Sequence, residues 1–155
     1  MGLCVGPDDV YLALRGLRTL SVRLERHYRS GMKVAEWLAA RPEIKRVMYP
    51  GLPDDAGHAI WKRDFTGASG LFSVELNPCS DKAVHAFMNE LSLFGMGYSW
   101  GGFESLVILF DCGEYRTATQ WSPSGPTLRF HIGLEEPDDL LADLERGFAA
   151  MKAAA

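Results

Sequence analysis

The sequence predicts an α+β fold in two layers: a mainly antiparallel sheet of about four strands, with helices packed on one face, preceded by a long helix. Three observations point there. A stretch without proline, from Asp8 or Asp9 to about Ala40, carries apolar residues at helical spacing. Strand-like runs then alternate with helical ones, and two of the strands are linked with little room for a crossover helix. The 155 residues, 47% of them hydrophobic, suffice for one sizeable core and a single domain over 1–155, with residues 1–40 as a linking helix and 41–155 as the sheet-and-helix part.

In the leading segment, Asp8 or Asp9 supplies an N-cap and the apolar stripe runs through Val10, Leu14, Leu17, Val22, Leu24, Met32, Ala35 and Leu38. Arg15, Arg18, Arg23 and Arg26 make the other faces cationic, which suggests subunit or interdomain ion pairs. Gly16 and Ser30-Gly31 are the places where this helix would bend. Arg41-Pro42 ends it, because the proline ring disfavours helical geometry in the residue before it.

A short strand follows at Val47-Met48-Tyr49, then a loop from Pro53 to Gly57 and a short helix from Ala59 to Phe65. The clearest strand is Leu71 to Leu76, where Phe72, Val74 and Leu76 share one face and Leu71, Ser73 and Glu75 the other. Ser80 and Asp81 cap a helix to about Leu91, with Val84, Phe87, Met88 and Leu91 on one side. A glycine-rich strand is expected from Phe94 to Trp100, another over Leu106–Phe110, an exposed loop over 113–126, and the last strand over Thr127–Ile132. A helix from Pro137 to about Met151 closes the chain, with Lys152–Ala155 frayed.

Charge and composition narrow the function. A formal net charge of -4 offers no basic field for nucleic acid. No apolar run approaches the roughly 20 residues that span a bilayer, and the three separated cysteines suit a reducing compartment, so the expectation is a cytoplasmic protein without a membrane partner. His27, His58, His85 and His131 are too far apart for the common zinc motifs, so no metal site is expected. His27 and His85 are expected at the surface or its boundary, and Cys112 as an unreactive boundary thiol.

Two strings carry more. Tyr98-Ser99-Trp100-Gly101-Gly102-Phe103-Glu104-Ser105-Leu106 sets an aromatic pair around a serine before two glycines, a pattern that also fits a bulged strand end. Further on, Thr127-Leu128-Arg129-Phe130-His131-Ile132-Gly133-Leu134-Glu135 places a guanidinium within an apolar strand. Alternation puts Arg129 and His131 on one face and Leu128, Phe130 and Ile132 on the other. Such an arginine needs an anion, which a structural salt bridge or a ligand can supply.

Together with Gly6-Pro7-Asp8-Asp9-Val10-Tyr11 and the terminal Glu135-Glu136-Pro137-Asp138-Asp139-Leu140, these strings closely resemble the cystathionine/methionine metabolism family of pyridoxal-phosphate enzymes, of fold type I. The likeness spans nearly the whole chain and is nearest to the β-lyase branch: γ-type members show serine-leucine-glycine-glycine where this chain has Ser99-Trp100-Gly101-Gly102. The resemblance implies the C-terminal small domain of such an enzyme. Arg129 would anchor the substrate α-carboxylate, Ser99 would lie beside the cofactor, and Tyr98 and Trp100 would wall the substrate cleft.

It also implies pyridoxal phosphate in the full-length enzyme, L-cystathionine or a related sulfur amino acid as substrate, and β-elimination to homocysteine, pyruvate and ammonia. Lys33, Lys45, Lys62, Lys82 and Lys152 all fall outside the family's cofactor-lysine motif. The expectation is therefore that this chain has no catalytic residue of its own, binds no cofactor covalently and is inactive alone, the N-terminal lysine-bearing domain being absent. A homotetramer is implied at full length and a dimer is plausible for the separate domain. Glu104 is expected to pair structurally rather than serve as a base. Two other readings remain open: a non-catalytic module that binds an amino acid through Arg129, and the same domain from a γ-lyase or γ-synthase.

Overall fold

The computed structural model describes residues 2–155. The leading segment forms two helices: α1 spans Pro7–Arg18 and α2 spans Leu20–Ala39. Pro7 at the start, Asp8 and Asp9 in the first turn and Arg15 and Arg18 in the last all favour α1 by fixed φ and by charge against the helix dipole. The break falls at Thr19, not at Gly16 or Ser30-Gly31. There the Gly16 carbonyl accepts from the Thr19 hydroxyl at 3.3 Å and from Arg23 Nη2 at 2.6 Å, which satisfies an otherwise orphaned helix end. Gly31 instead sits mid-helix because a Cβ there would come within 3.1 Å of the Gly70 backbone, so it permits a close approach and causes no bend.

The sheet contains β1 (Ile44–Met48), β2 (Leu71–Leu76), β3 (Gly95–Met96), β4 (Leu106–Leu109) and β5 (Thr127–His131) in the order β1-β2-β5-β4-β3. Every pairing is antiparallel except β3 with β4. It has five strands, and the expected glycine-rich strand contributes only Gly95 and Met96. Parallel strands cannot be joined by a hairpin. Residues 97–105 therefore form an irregular crossover that carries the aromatic-serine string along the sheet edge.

Of the helices, α3 spans His58–Asp64, α4 spans Asp81–Glu90 and α5 spans Pro137–Ala154. Ser80 caps α4 by accepting from the Ala83 amide. The expected frayed tail is corrected: α5 runs through Lys152 to Ala154, with Met151 buried on its inner side. Helices α2, α4 and α5 cover one sheet face, where Phe72, Val74, Leu128, Phe130 and Ile132 meet Val34, Leu38, Phe87, Leu144 and Phe148. Phe130 lies at the centre, 5.8 Å from the Phe72 ring and 5.6 Å from that of Phe94. Burying each such side chain contributes roughly 1.5–3 kcal/mol, so this face holds the fold together.

The opposite face carries a cross-strand row set by register: Met48 beside Ser73, Ser73 beside Arg129, Arg129 beside Ile108. Among the described residues, no helix lines the cleft over this row. The loop after β4 comes back over part of it, tethered by Glu75, whose buried carboxylate accepts from the Ser124 amide at 2.8 Å, Lys45 at 2.9 Å and Arg46 at 2.9 Å.

Candidate functional site

Arg129 is half-buried in β5, held between Leu128 and Phe130, whose side chains go into the core on the other face. Its Nη2 donates to the Tyr98 carbonyl at 2.6 Å, which ties the strand to the crossover. Among the described residues it forms no salt bridge, so its charge is not neutralised within the chain. The guanidinium lines a cleft of about 480 Å³ together with Ser73, Tyr98, Ile108, Cys112 and Arg116.

Of the other expected site residues, Tyr98 reaches this cleft, whereas Ser99 and Trp100 are exposed on the crossover and are not among its lining residues. Trp100 keeps 60% of its surface open and Phe103 keeps 68%, so the aromatic string faces outward from this chain.

The crossover is held at several points. Gly101 adopts φ +83, a left-handed conformation that favours glycine. His131, on the same face as Arg129, sits beneath it with Nε2 3.1 Å from the Gly102 carbonyl oxygen. The Gly101 amide lies 3.1 Å from the same Nε2 and 3.4 Å from Nδ1, so the ring meets both a donor and an acceptor of the crossover. Further along, the Glu135 carboxylate accepts from the Ser105 amide and hydroxyl, each at 2.8 Å, and Ser105 Oγ accepts from the Gly133 amide at 2.9 Å.

His27 is corrected from a surface to a buried position, 3% exposed. Its Nδ1 donates to the Ile132 carbonyl at 2.7 Å and its ring centroid lies 5.2 Å from that of His131. Burial lowers the His131 pKa, reinforced by the neighbouring His27 and Arg129 and opposed by the Gly102 carbonyl and Glu135.

Sequence reasoning missed three residues of this arrangement. Glu135, and not the exposed Glu104, is the acid that ties the crossover down. His27 lies seven residues before the buried Val34, a helical repeat that could have placed it inward. Arg116 shares the cleft, but its position depends on how the 110–126 loop folds back, and no local pattern reveals that.

Cofactor attachment requires an amine that reaches the site. Lys33 pairs with Asp138 at 2.5 Å, Lys45 binds Glu75, and none of the lysines lines the Arg129 cleft. Among the described residues no cluster of His, Cys, Asp and Glu could hold a metal ion, and no helix is long and apolar enough to cross a membrane.

A mainly antiparallel sheet with helices on one face and an arginine-bearing cleft on the other defines an α/β domain of the kind found at the C-terminal end of fold-type I enzymes. A family model described as Cys/Met metabolism PLP-dependent enzyme matches residues 1–149, and the chain belongs to this family. It is 48% identical over 153 residues to cystathionine beta-lyase MetC of Escherichia coli (strain K12), covering 96% of this chain and 39% of that protein. It is 49% identical over 153 residues to cystathionine beta-lyase of Salmonella typhimurium, with the same coverage of 96% and 39%. In three dimensions it resembles cystathionine gamma synthase from Xanthomonas oryzae pv. oryzae, solved in complex with cystathionine, with a TM-score of 0.84 and 35% identity over 99% of this chain and 41% of that one. The chain thus spans about two fifths of the length of the relatives it matches.

Proposed function

We propose that this chain supplies the substrate α-carboxylate anchor of a pyridoxal-phosphate-dependent cystathionine β-lyase, which converts L-cystathionine and water to homocysteine, pyruvate and ammonia. The observation that carries the reading is Arg129: a half-buried guanidinium in a cleft, with no acid paired to it within the described chain. A guanidinium can fork onto a carboxylate through two parallel charge-assisted hydrogen bonds, fixing both position and rotation. The Tyr98 carbonyl holds one end of the guanidinium, and the core packing of Leu128 and Phe130 keeps its strand rigid. Identity near one half to two cystathionine beta-lyases, together with Trp100 in the serine-glycine string, supports the β-lyase branch.

In this reading Tyr98 borders the substrate, and Ser99 and Trp100 reach the reacting groups from the crossover once a further part of the enzyme faces them. The cofactor and its lysine belong to that part, so the 155-residue chain alone is inactive and holds no pyridoxal phosphate covalently. A cytoplasmic homotetramer is the proposed assembly, supported by the unburied α1 with its exposed Val10, Leu14 and Leu17. The structural likeness to a gamma synthase favours a second reading, the same anchor in a γ-type enzyme.

The test is steady-state release of pyruvate from L-cystathionine by the full-length protein. Arg129→Lys should raise KM by about tenfold or more, because a point charge replaces a two-pronged fork. Pyruvate formation unaffected by that substitution overturns the anchor, and formation of 2-oxobutyrate in place of pyruvate transfers the chain to the γ-type reading.

A further inference from the structure

We infer that Arg116 is a second anion-binding residue of the Arg129 cleft and selects substrates that carry a carboxylate at the far end of the side chain. This rests on the reading of Arg129 as the α-carboxylate anchor.

Arg116 lies in the loop that returns over the open sheet face. That loop is fastened at both ends. Near its start the Tyr115 and Arg116 amides donate to the Cys112 carbonyl at 3.1 Å and 3.0 Å. Near its end Ser124 donates to the buried Glu75. Between these points the Arg116 guanidinium stands 4.9 Å from the Trp121 ring centroid, and Trp121 in turn packs 5.7 Å from Phe110. Stacking of a guanidinium on an indole holds its plane while leaving its N–H edge free to fork.

Asp54, Asp55 and Glu75 share an adjoining pocket with Arg116, but none of them pairs with it. Arg116 contacts the Thr119 hydroxyl at 3.4 Å, and among the described residues it forms no salt bridge. The same cleft holds Arg129, also without an acidic partner. Asp111 is the carboxylate on its wall, and one of its oxygens is taken by the Gly113 amide at 2.8 Å. Two guanidinia and one acid leave the cleft net cationic. Met48, Ile108 and Phe110 line it too, giving an apolar floor suited to methylenes or a thioether. The ligand matching this layout is an amino acid with its α-carboxylate at Arg129, an apolar chain, and a second carboxylate at Arg116. L-Cystathionine has that chemistry, whereas S-ethyl-L-cysteine shares the reacting end and lacks the distal carboxylate.

The experiment compares these two compounds on the full-length protein and its Arg116→Gln and Arg116→Lys variants, in both steady-state kinetics and equilibrium binding. Arg116→Gln should raise KM and Kd for L-cystathionine about tenfold, the worth of one charge-assisted contact, with kcat within about twofold of the parent. The values for S-ethyl-L-cysteine should not change, and Arg116→Lys should recover part of the loss. Equal losses on both compounds would show that Arg116 supports assembly or folding, and no loss on either would show it idle; each result overturns the inference. If the parent protein turns over neither compound, the β-lyase reading fails while the binding ratio still decides the role of Arg116. A parent that binds both with the same Kd, or neither, also overturns it.

Discussion

Replacing Glu75 with Gln tests how the open face is built. Glu75 is 2% exposed, yet it holds a full charge: burial pushes its carboxyl up, and Lys45 with the Ser124 amide and hydroxyl outweighs that and holds it at about 2. A carboxyl near 2 in the fold against an ordinary 4.5 in the open chain is linked to about 3 kcal/mol of stability at neutral pH. Lys45 and Arg46 keep 45% and 54% of their side-chain surface in water, which screens their share and brings the expected contribution to about 2 kcal/mol. Because the folded value is depressed, this stability is complete above 4.5 and is lost as pH falls from there toward 2.

Urea unfolding of the parent and Glu75→Gln at pH 7 and at pH 3.5 provides the measurement. Subtracting the variant removes the other carboxylates, which titrate alike in both proteins. The expected gap is about 2 kcal/mol at pH 7 and clearly smaller at pH 3.5. A gap that stays constant with pH, or is absent at neutral pH, would refute the linkage of Glu75 charge to the fold.

Asp143 is fully buried on α5 and accepts from the Ser92 amide, the Ser92 hydroxyl, the Leu93 amide and Arg146, closing the chain just after α4. Asp143→Ala strands those donors and should cost about 2–3 kcal/mol in urea unfolding, whereas a loss under about 0.5 kcal/mol would mean water replaces the carboxylate freely. His131 gives a second pH signature. The groups around His131 are His27 from α2, Arg129 on its own strand, Glu135 and the Gly102 carbonyl, and its lowered pKa means stability is whole above 6.5 and declines as pH falls below that value. Melting temperatures of the parent and His131→Gln between pH 7.5 and 5.5 should converge toward acid, and parallel curves would count against it.

The alternation that made β2 and β5 legible is strong because one face of each is buried: Phe72, Val74, Leu128 and Phe130 were placed correctly by period two alone. The leading helix was harder. Val10, Leu14, Leu17 and Val22 look like a core stripe, but in this chain they are exposed, while α2 buries His27, Ser30 and Gly31. Hydrophobicity marks surfaces that want covering without saying which element covers them, so polar residues on the true inner face escaped notice. The strand expected over Phe94–Trp100 failed for a related reason. Gly95 and Met96 pair in parallel at the sheet edge, and the remaining residues must turn back as a crossover, a consequence of strand order that no window of nine residues contains.

Of the candidate site, Arg129 stood out because a charged residue inside an apolar strand is costly unless an anion meets it, whereas Tyr98 came only from the family resemblance. That same cost explains the division of labour in β5. Leu128 and Phe130 are buried among helices, Arg129 faces a cleft and His131 holds the crossover, so one strand fixes both the core and the site. A register slip of one residue would place the guanidinium in the core and two large apolar side chains in the cleft. The antiparallel pairs Ser73 with Arg129 and Ile108 with Arg129 guard against that slip from both sides. The position of Arg129 is therefore set by the core on the opposite face, while no acid of that row pairs with its charge.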